Sequence, residues 1–194
     1  MSEPFRIAIA GLGTVGVGVI KILTENKDVI TQRAGREIEI VAVSARSKDK
    51  DRGVNIDGYE WFDNTADISA CESADAIVEL VGGSEGVAAD VVRAALSGGK
   101  HVVTANKALV AHHGSELAQT AEDNNVSLMY EAAVAGGIPV IKMMREGLAA
   151  NNYNAVYGIL NGTCNYILTV MRETGADFGD VLKDAQEFGY AEAD

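Results

Sequence analysis

Gly11-Leu12-Gly13-Thr14-Val15-Gly16 sets three glycines at the spacing that brings a chain close to a dinucleotide pyrophosphate. The first glycine permits a tight turn, the second lets the backbone approach the phosphates, and the third lets a helix pack on a strand. The free N–H groups at the start of that helix then meet the negative charge. Glycine-rich turns are common, so the flanks decide the reading. The apolar run Ile7-Ala8-Ile9-Ala10 precedes the turn and the amphipathic Val17-Gly18-Val19-Ile20-Lys21-Ile22-Leu23 follows it, which predicts strand, turn and helix in the order a dinucleotide site needs.

Three further segments carry chemistry. The second apolar run ends Val43-Ser44-Ala45-Arg46-Ser47-Lys48. Sites for NAD place Asp or Glu there, to bond the ribose 2′-hydroxyl, whereas a 2′-phosphate is tolerated where the acid is absent and arginine is near. Arg46 and Lys48 therefore favour NADP(H) over NAD(H); the competing reading is that both are solvated loop charges. Thr104-Ala105-Asn106-Lys107 falls where a later strand stops, and a lysine there suits the polarisation of a carbonyl that accepts hydride. An ordinary surface lysine is the alternative. In Gly158-Ile159-Leu160-Asn161-Gly162-Thr163-Cys164-Asn165-Tyr166, Gly162 exposes backbone N–H groups and Thr163 offers a hydroxyl, which suits a small polar substrate. The plain reading is an Asn-Gly turn with Thr163 as a helix cap.

Strand and helix periods alternate along the chain. Strands are predicted over residues 7–10, 38–43, 76–81, 101–104 and 126–130, and helices over 85–96, after the N-cap candidate Ser84, and 107–122, before the turn formers Asn124-Asn125. This alternation predicts a doubly wound, Rossmann-type parallel sheet with ligands at the carboxyl ends of its strands. After Tyr130 the texture changes. Glu131-Ala132-Ala133-Val134-Ala135-Gly136-Gly137-Ile138-Pro139 is small-residue and glycine-rich, and it marks a junction between a nucleotide-binding domain at 1–135 and a second domain at 136–194. Beyond it the patterns predict a helix over 140–148, a strand over 155–160, and helices over 163–173 and 178–188, the last capped by Asp177. These pieces cannot cover their own apolar faces, so the second domain reads as the start of an α+β unit that needs further chain or a partner.

Composition narrows the functional classes. Of 194 residues 47% are hydrophobic, which excludes a disordered chain, and the net charge of −12 opposes nucleic-acid binding. An anionic cofactor must be held by local N–H groups and a few basic side chains against the global field. No apolar run is long enough to span a membrane, and Met1 to Phe5 lacks a secretory pattern, so a cytoplasmic location without membrane association is expected. Cys71 and Cys164 read as reduced packing thiols, and the three histidines make no zinc spacing.

At the residues quoted above the chain resembles homoserine dehydrogenases. The glycine turn, the TANK strand end, the Glu131–Pro139 junction and the Asn161-Gly162-Thr163 turn stand in that family's order. Ala185-Gln186-Glu187-Phe188-Gly189-Tyr190-Ala191-Glu192-Ala193-Asp194 matches the opening of its signature. The resemblance implies reversible hydride transfer between NAD(P)H and L-aspartate 4-semialdehyde to give L-homoserine, in the route to threonine, methionine and isoleucine. It implies that Gly11, Gly13, Thr14, Val15 and Gly16 cradle the cofactor and that Arg46 and Lys48 meet its 2′-phosphate. Thr104 and Lys107 would lie near the nicotinamide, with Gly189 also close to cofactor. Gly162, Thr163 and Glu192 would contact the amino-acid substrate, Glu192 pairing with its ammonium group. Where the family carries sodium, the ligands map to Glu131 and to the main-chain carbonyls of Val134, Gly136 and Ile138; a buried Glu131 capping backbone N–H groups is the alternative. The resemblance also implies a homodimer and makes the second domain the start of a catalytic and dimerisation unit. The family's signature continues with an aspartate and a lysine beyond Asp194, so the isolated chain is expected to bind cofactor with at most trace turnover. Two rival readings are a reductase of another amino-acid-derived carbonyl and a dinucleotide-binding fragment or sensor without turnover.

Overall fold

A computed structural model describes residues 3–159 and 161–191. They fall into two compact units, 1–147 and 148–194, with the first unit reaching past the junction predicted at residue 135.

In the first unit the elements are β1 (Phe5–Ala10), α1 (Thr14–Glu25), α2 (Lys27–Ala34), β2 (Ile38–Ser44), β3 (Glu60–Phe62), β4 (Ala76–Glu79), α3 (Val87–Ser97), β5 (His101–Thr104), α4 (Lys107–Asp123), β6 (Leu128–Met129) and the single turn α5 (Val140–Lys142). The strands pair in the order β3-β2-β1-β4-β5-β6, every pair parallel. Strand order therefore reverses between β1 and β4, and the carboxyl ends of all strands lie along one edge. In doubly wound sheets that edge, at that reversal, is where ligands bind.

Alternation along β1 divides the core. Ala8 and Ala10 face a layer built with Ile77, Val102, Val91, Val92 and Leu96 of α3, and Leu109 and Leu117 of α4, whereas Ile7 and Ile9 face Ile40, Val43, Val78 and Ile20 of α1. The central strands β1 and β4 are buried on both faces, as the middle of a parallel sheet requires. Each fully buried Ile or Leu contributes roughly 1.5–3 kcal/mol. Truncating Ile9 or Ile77 to Ala, both without exposed surface, therefore costs about 2–5 kcal/mol.

Several predicted elements differ from those observed. α3 begins at Val87 behind Gly86, not behind Ser84, because Gly86, inside the predicted first turn, takes a positive φ and keeps the chain out of the helix until then. The helix predicted over 140–148 is one α-turn followed by a wider π-turn at Met143–Gly147; neither piece buries a residue, so packing does not hold an α register. α2 and β3 were not predicted: α2 buries no residue and so lacks an apolar stripe, and β3 is three residues long.

The second unit holds α6 (Gly162–Thr174) and α7 (Phe178–Glu187), which pack through Ile167, Val181 and Ala185. The strand predicted over 155–160 does not form over residues 155–159, and Leu160 lies outside the described residues. A strand exists by pairing, and among the described residues nothing pairs with this run, whose Val156, Tyr157 and Ile159 are 58%, 92% and 75% exposed. Cys164 is exposed, not packed, because α6 turns Thr163, Tyr166, Ile167, Val170 and Met171 inward and leaves position 164 outside that stripe.

Candidate functional site

The glycine turn follows β1 directly, and each of its glycines answers to a different constraint. Gly11 has φ of +102°, and a Cβ there would sit 2.6 Å from the carbonyl oxygen of Leu80. A Cβ on Gly16 would lie 2.1 Å from the carbonyl oxygen of Gly11, so α1 approaches the turn as closely as only glycine allows. At Gly13 a Cβ would meet nothing within 4 Å. Here the glycine clears space in front of the backbone, as close approach of a phosphate requires. Gly13 caps α1 without a side-chain bond, and α1 opens with Thr14 and Val15, whose side chains are exposed. The first N–H groups of α1 thus face outward with the positive end of the helix dipole behind them.

At the end of β2, Ser44 is buried and its hydroxyl donates to the carbonyl of Phe62 at 2.8 Å, so no acid stands at this strand tip. Arg46 and Lys48 are exposed on the loop that follows. That loop is folded by a residue the sequence reading missed. Arg52 donates to the carbonyls of Lys50 (2.9 Å), Ser47 and, across the loop, Leu12 (3.3 Å) in the glycine turn. Arg52 and Lys48 each lie 6.0 Å from the centre of the Trp61 ring. The guanidinium fork ties the basic loop to the glycine turn.

β4 ends in a second missed residue, Glu79, whose side chain is wholly buried. Its Oε1 accepts from the N–H groups of Val81 (2.7 Å) and Gly82 (3.1 Å), and its Oε2 accepts from the Thr104 hydroxyl at 2.6 Å. Thr104 is likewise buried, with its hydroxyl engaged. Asn106 caps α4 by accepting from the Leu109 N–H at 3.0 Å, and Lys107 is the first residue of that helix. Glycine turn, basic loop, Thr104 and Lys107 therefore share the carboxyl edge of one sheet. A charged residue in the middle of an apolar strand run was the only signal for Glu79; for Arg52, within a loop of alternating charges, there was none.

After β6 the Glu131 carboxylate accepts from the N–H groups of Ile141 (3.1 Å) and Lys142 (2.7 Å), one on each oxygen. The Ile138 carbonyl accepts from the Val140 N–H at 2.7 Å. The junction thus offers hard oxygen donors, and a carboxylate retains lone pairs beyond two such bonds.

In the second unit Asn161, not Thr163, caps α6, its side-chain oxygen accepting from the Cys164 N–H at 2.8 Å. This frees the Thr163 hydroxyl to donate to the carbonyl of Tyr190. Tyr166 and Tyr190 meet at 5.0 Å between ring centres with their planes tilted by 56°, and Gly189 turns the chain with φ of +74°. Thr163, Gly162 and the Gly189 turn are so brought together; Glu192 lies outside the described residues.

The parallel sheet, its reversal point and the glycine turn define a dinucleotide-binding domain of the doubly wound class. Comparison with known proteins carries this further. The family model described as "Homoserine dehydrogenase, NAD binding domain" matches residues 11–131, and that described as "Homoserine dehydrogenase" matches residues 139–194. The homoserine dehydrogenase of Neisseria gonorrhoeae is 48% identical over 192 residues, covering 99% of this chain and 44% of that protein. The crystal structure of a homoserine dehydrogenase from Thiobacillus denitrificans superposes with a TM-score of 0.86 at 48% identity, covering 99% of this chain and 44% of that one. A hyperthermophilic archaeal homoserine dehydrogenase in complex with NADPH superposes at 0.77 with 28% identity, covering 99% of this chain and 63% of that one. The chain belongs to the homoserine dehydrogenase family, and its first domain is of the kind that binds a nicotinamide dinucleotide. It spans less than half the length of the first two of these relatives. Among the described residues no helix is long and apolar enough to cross a membrane, and no cluster of three or more His, Cys, Asp or Glu side chains could hold a metal ion.

Proposed function

We propose that this chain supplies the cofactor domain and the first part of the substrate domain of an enzyme that interconverts L-homoserine and L-aspartate 4-semialdehyde. The observation that carries the reading is the common edge: a glycine turn at the strand reversal, with Lys107 at the helix start two strands away. The bound nicotinamide supplies or accepts the hydride. Residues 1–135 form the cofactor domain; 136–194 open a substrate-binding and dimerisation domain. Gly11, Gly13, Thr14, Val15 and Gly16 hold the pyrophosphate through backbone N–H groups, and Arg46 with Lys48 pairs with a 2′-phosphate, favouring NADP(H). The archaeal relative bound to NADPH supports that preference. Thr104 and Gly189 lie beside cofactor.

Lys107 holds its ammonium against the carbonyl oxygen of the semialdehyde, where negative charge develops as hydride arrives. Gly162, Thr163 and Glu192 fix the amino-acid head group, so that the reacting carbon is presented in one orientation. Glu131, with the carbonyls of Val134, Gly136 and Ile138, holds a structural sodium ion. The enzyme works as a cytoplasmic homodimer on the pathway to threonine and methionine.

The experiment is a spectrophotometric assay of NADP-dependent homoserine oxidation by a protein that carries this chain within the full length of its relatives. Lys107→Ala should lower kcat by about 10²–10³, the loss seen when one donor to a developing oxyanion is removed. An unchanged kcat in Lys107→Ala overturns the role of Lys107, and absence of any homoserine-dependent turnover in the parent overturns the assignment. The 194-residue chain alone should bind cofactor and turn over homoserine at a trace rate.

A further inference from the structure

Glu79 is a carboxylate with no exposed surface, placed where β4 runs into the loop beside the glycine turn. Burying such a group is costly unless every oxygen is bonded. No basic side chain is among its hydrogen-bond partners; two backbone N–H groups and one hydroxyl serve instead.

Following those bonds outward closes a ring. Val81 and Gly82 are held by Oε1, and the next residue, Gly83, offers its carbonyl to the side-chain N–H of Asn106 at 2.7 Å. The Asn106 backbone N–H donates to the Thr104 hydroxyl oxygen at 3.0 Å, which leaves the hydroxyl hydrogen directed at Glu79 Oε2. The ring joins the loop after β4 to the turn after β5 and ends at the cap of α4, one residue before Lys107. Gly82 and Gly83 have φ of +85° and +87°, conformations the ring fixes in place.

Position on the sheet tells which half of a dinucleotide this ring serves. The pyrophosphate belongs at the reversal between β1 and β4, and the adenosine ribose is read at the end of β2, so the other half extends over β4 and β5. We propose that Glu79 is a positioning residue: through the ring with Thr104 and Asn106 it sets the Val81–Gly83 backbone and the start of α4 for the nicotinamide half of the cofactor. The proposal rests on the cofactor reading above and deepens it.

Glu79→Gln preserves shape and removes one acceptor. With the amide nitrogen toward Val81 and Gly82, an N–H faces two backbone donors; with it toward Thr104, the hydroxyl oxygen can accept a second bond but its own hydrogen loses its acceptor, and either way a buried link of the ring fails. The test compares two ligands on the 194-residue chain by calorimetric titration: NADPH, and ADP-ribose 2′-phosphate, which lacks the nicotinamide. Glu79→Gln should weaken NADPH about tenfold, the equivalent of one hydrogen bond to a charged group, and leave ADP-ribose 2′-phosphate within about twofold. A general structural defect would weaken both.

Asn106→Asp is the companion variant should Glu79→Gln fail to fold. It keeps the α4 cap and all three Glu79 bonds but turns an oxygen toward the Gly83 carbonyl, and it should show the same separation of ligands. Any added charge repulsion would fall on both phosphate-bearing ligands alike. Equal losses for the two ligands, or none for NADPH, overturn the positioning role. A parent chain that binds ADP-ribose 2′-phosphate no more weakly than NADPH also overturns it, whereas a parent that binds neither overturns the cofactor reading itself.

Discussion

Replacing Gly13 and Gly16 separately by alanine should divide cofactor binding from folding. Gly13 has φ of −79° and ψ of −164°, extended backbone open to any residue, and a Cβ there meets nothing within 4 Å. Alanine stiffens the unfolded chain, which stabilises by about 0.4–1 kcal/mol, and is a poorer helix N-cap than glycine by an amount of the same order. The net change is near zero, so the melting temperature should move by no more than ~2–4 °C. The same methyl group stands where a pyrophosphate must approach the backbone. Displacing one charge-assisted hydrogen bond costs about 1.5–3 kcal/mol, so NADPH should bind about 10- to 100-fold more weakly. At Gly16 the methyl would lie 2.1 Å from a backbone oxygen, which no rotamer relieves, and the turn must open. Overpacking of this kind costs about 1–3 kcal/mol or more, against about 1 kcal/mol gained from alanine's helix preference. Gly16→Ala should therefore lose stability and cofactor together. Thermal melts followed by circular dichroism, and titration with NADPH, read the two effects. Gly13→Ala binding within twofold of the parent would refute the steric reasoning and with it the phosphate cradle.

Arg46→Ala should weaken NADPH several-fold and NADH less than twofold, the loss being modest because the guanidinium is exposed to solvent; equal losses in parallel titrations would remove Arg46 from the 2′-phosphate. Replacing sodium by a bulky organic cation should lower the melting temperature of the parent but not of Glu131→Gln, whereas a carboxylate that only caps Ile141 and Lys142 would make the parent indifferent to sodium. The Arg93 hydrogen bond holds the Glu116 carboxyl below the ordinary carboxylate range. Its stabilisation is present above the unfolded carboxylate value and fades as pH falls through the folded one. The small difference in melting temperature between the parent and Glu116→Gln should therefore be present at neutral pH and vanish in acid; a difference that grew in acid would contradict the pairing.

What could be read from sequence followed from how much each feature constrains its neighbours. β1, the glycine turn and α1 were legible because a short apolar run, three spaced glycines and an amphipathic segment all point to one arrangement over consecutive residues. α3 and α4 were legible as helices because each buries a face, yet the cap of α3 moved from Ser84 to Gly86, whose positive φ breaks the predicted first turn. α2 has no buried face and left no pattern to find. The run at 155–159 shows the opposite failure: strand-like composition predicts a strand, but pairing is a long-range property and composition cannot supply a partner. In the candidate site, the place of Lys107 at the sheet edge was legible because it follows a strand end. Glu79 and Arg52 act through bonds to backbone 2 to 40 residues away, and such bonds have no periodicity.

The two residues missing from the sequence reading divide the labour of the edge. A chain of net charge −12 repels an anionic ligand at long range, so affinity must come from short-range donors placed in advance. Arg52 contributes no free charge to that task, because its guanidinium is taken up by the carbonyls of Ser47, Lys50 and Leu12. Its effect is to tie the loop stretch that carries Lys48 to Leu12 of the glycine turn. Glu79 does the corresponding work across the strand reversal, and there a cation would be the wrong partner. A lysine or arginine pairing with Glu79 would need room in a site enclosed by β4, β5 and their loops, whereas backbone N–H groups and a threonine hydroxyl satisfy it without adding volume. The glycine-turn side is thus organised by a cation bonded to backbone oxygens, and the β4–β5 side by an anion bonded to backbone N–H groups. In both cases a buried or half-buried charge serves to fix main chain.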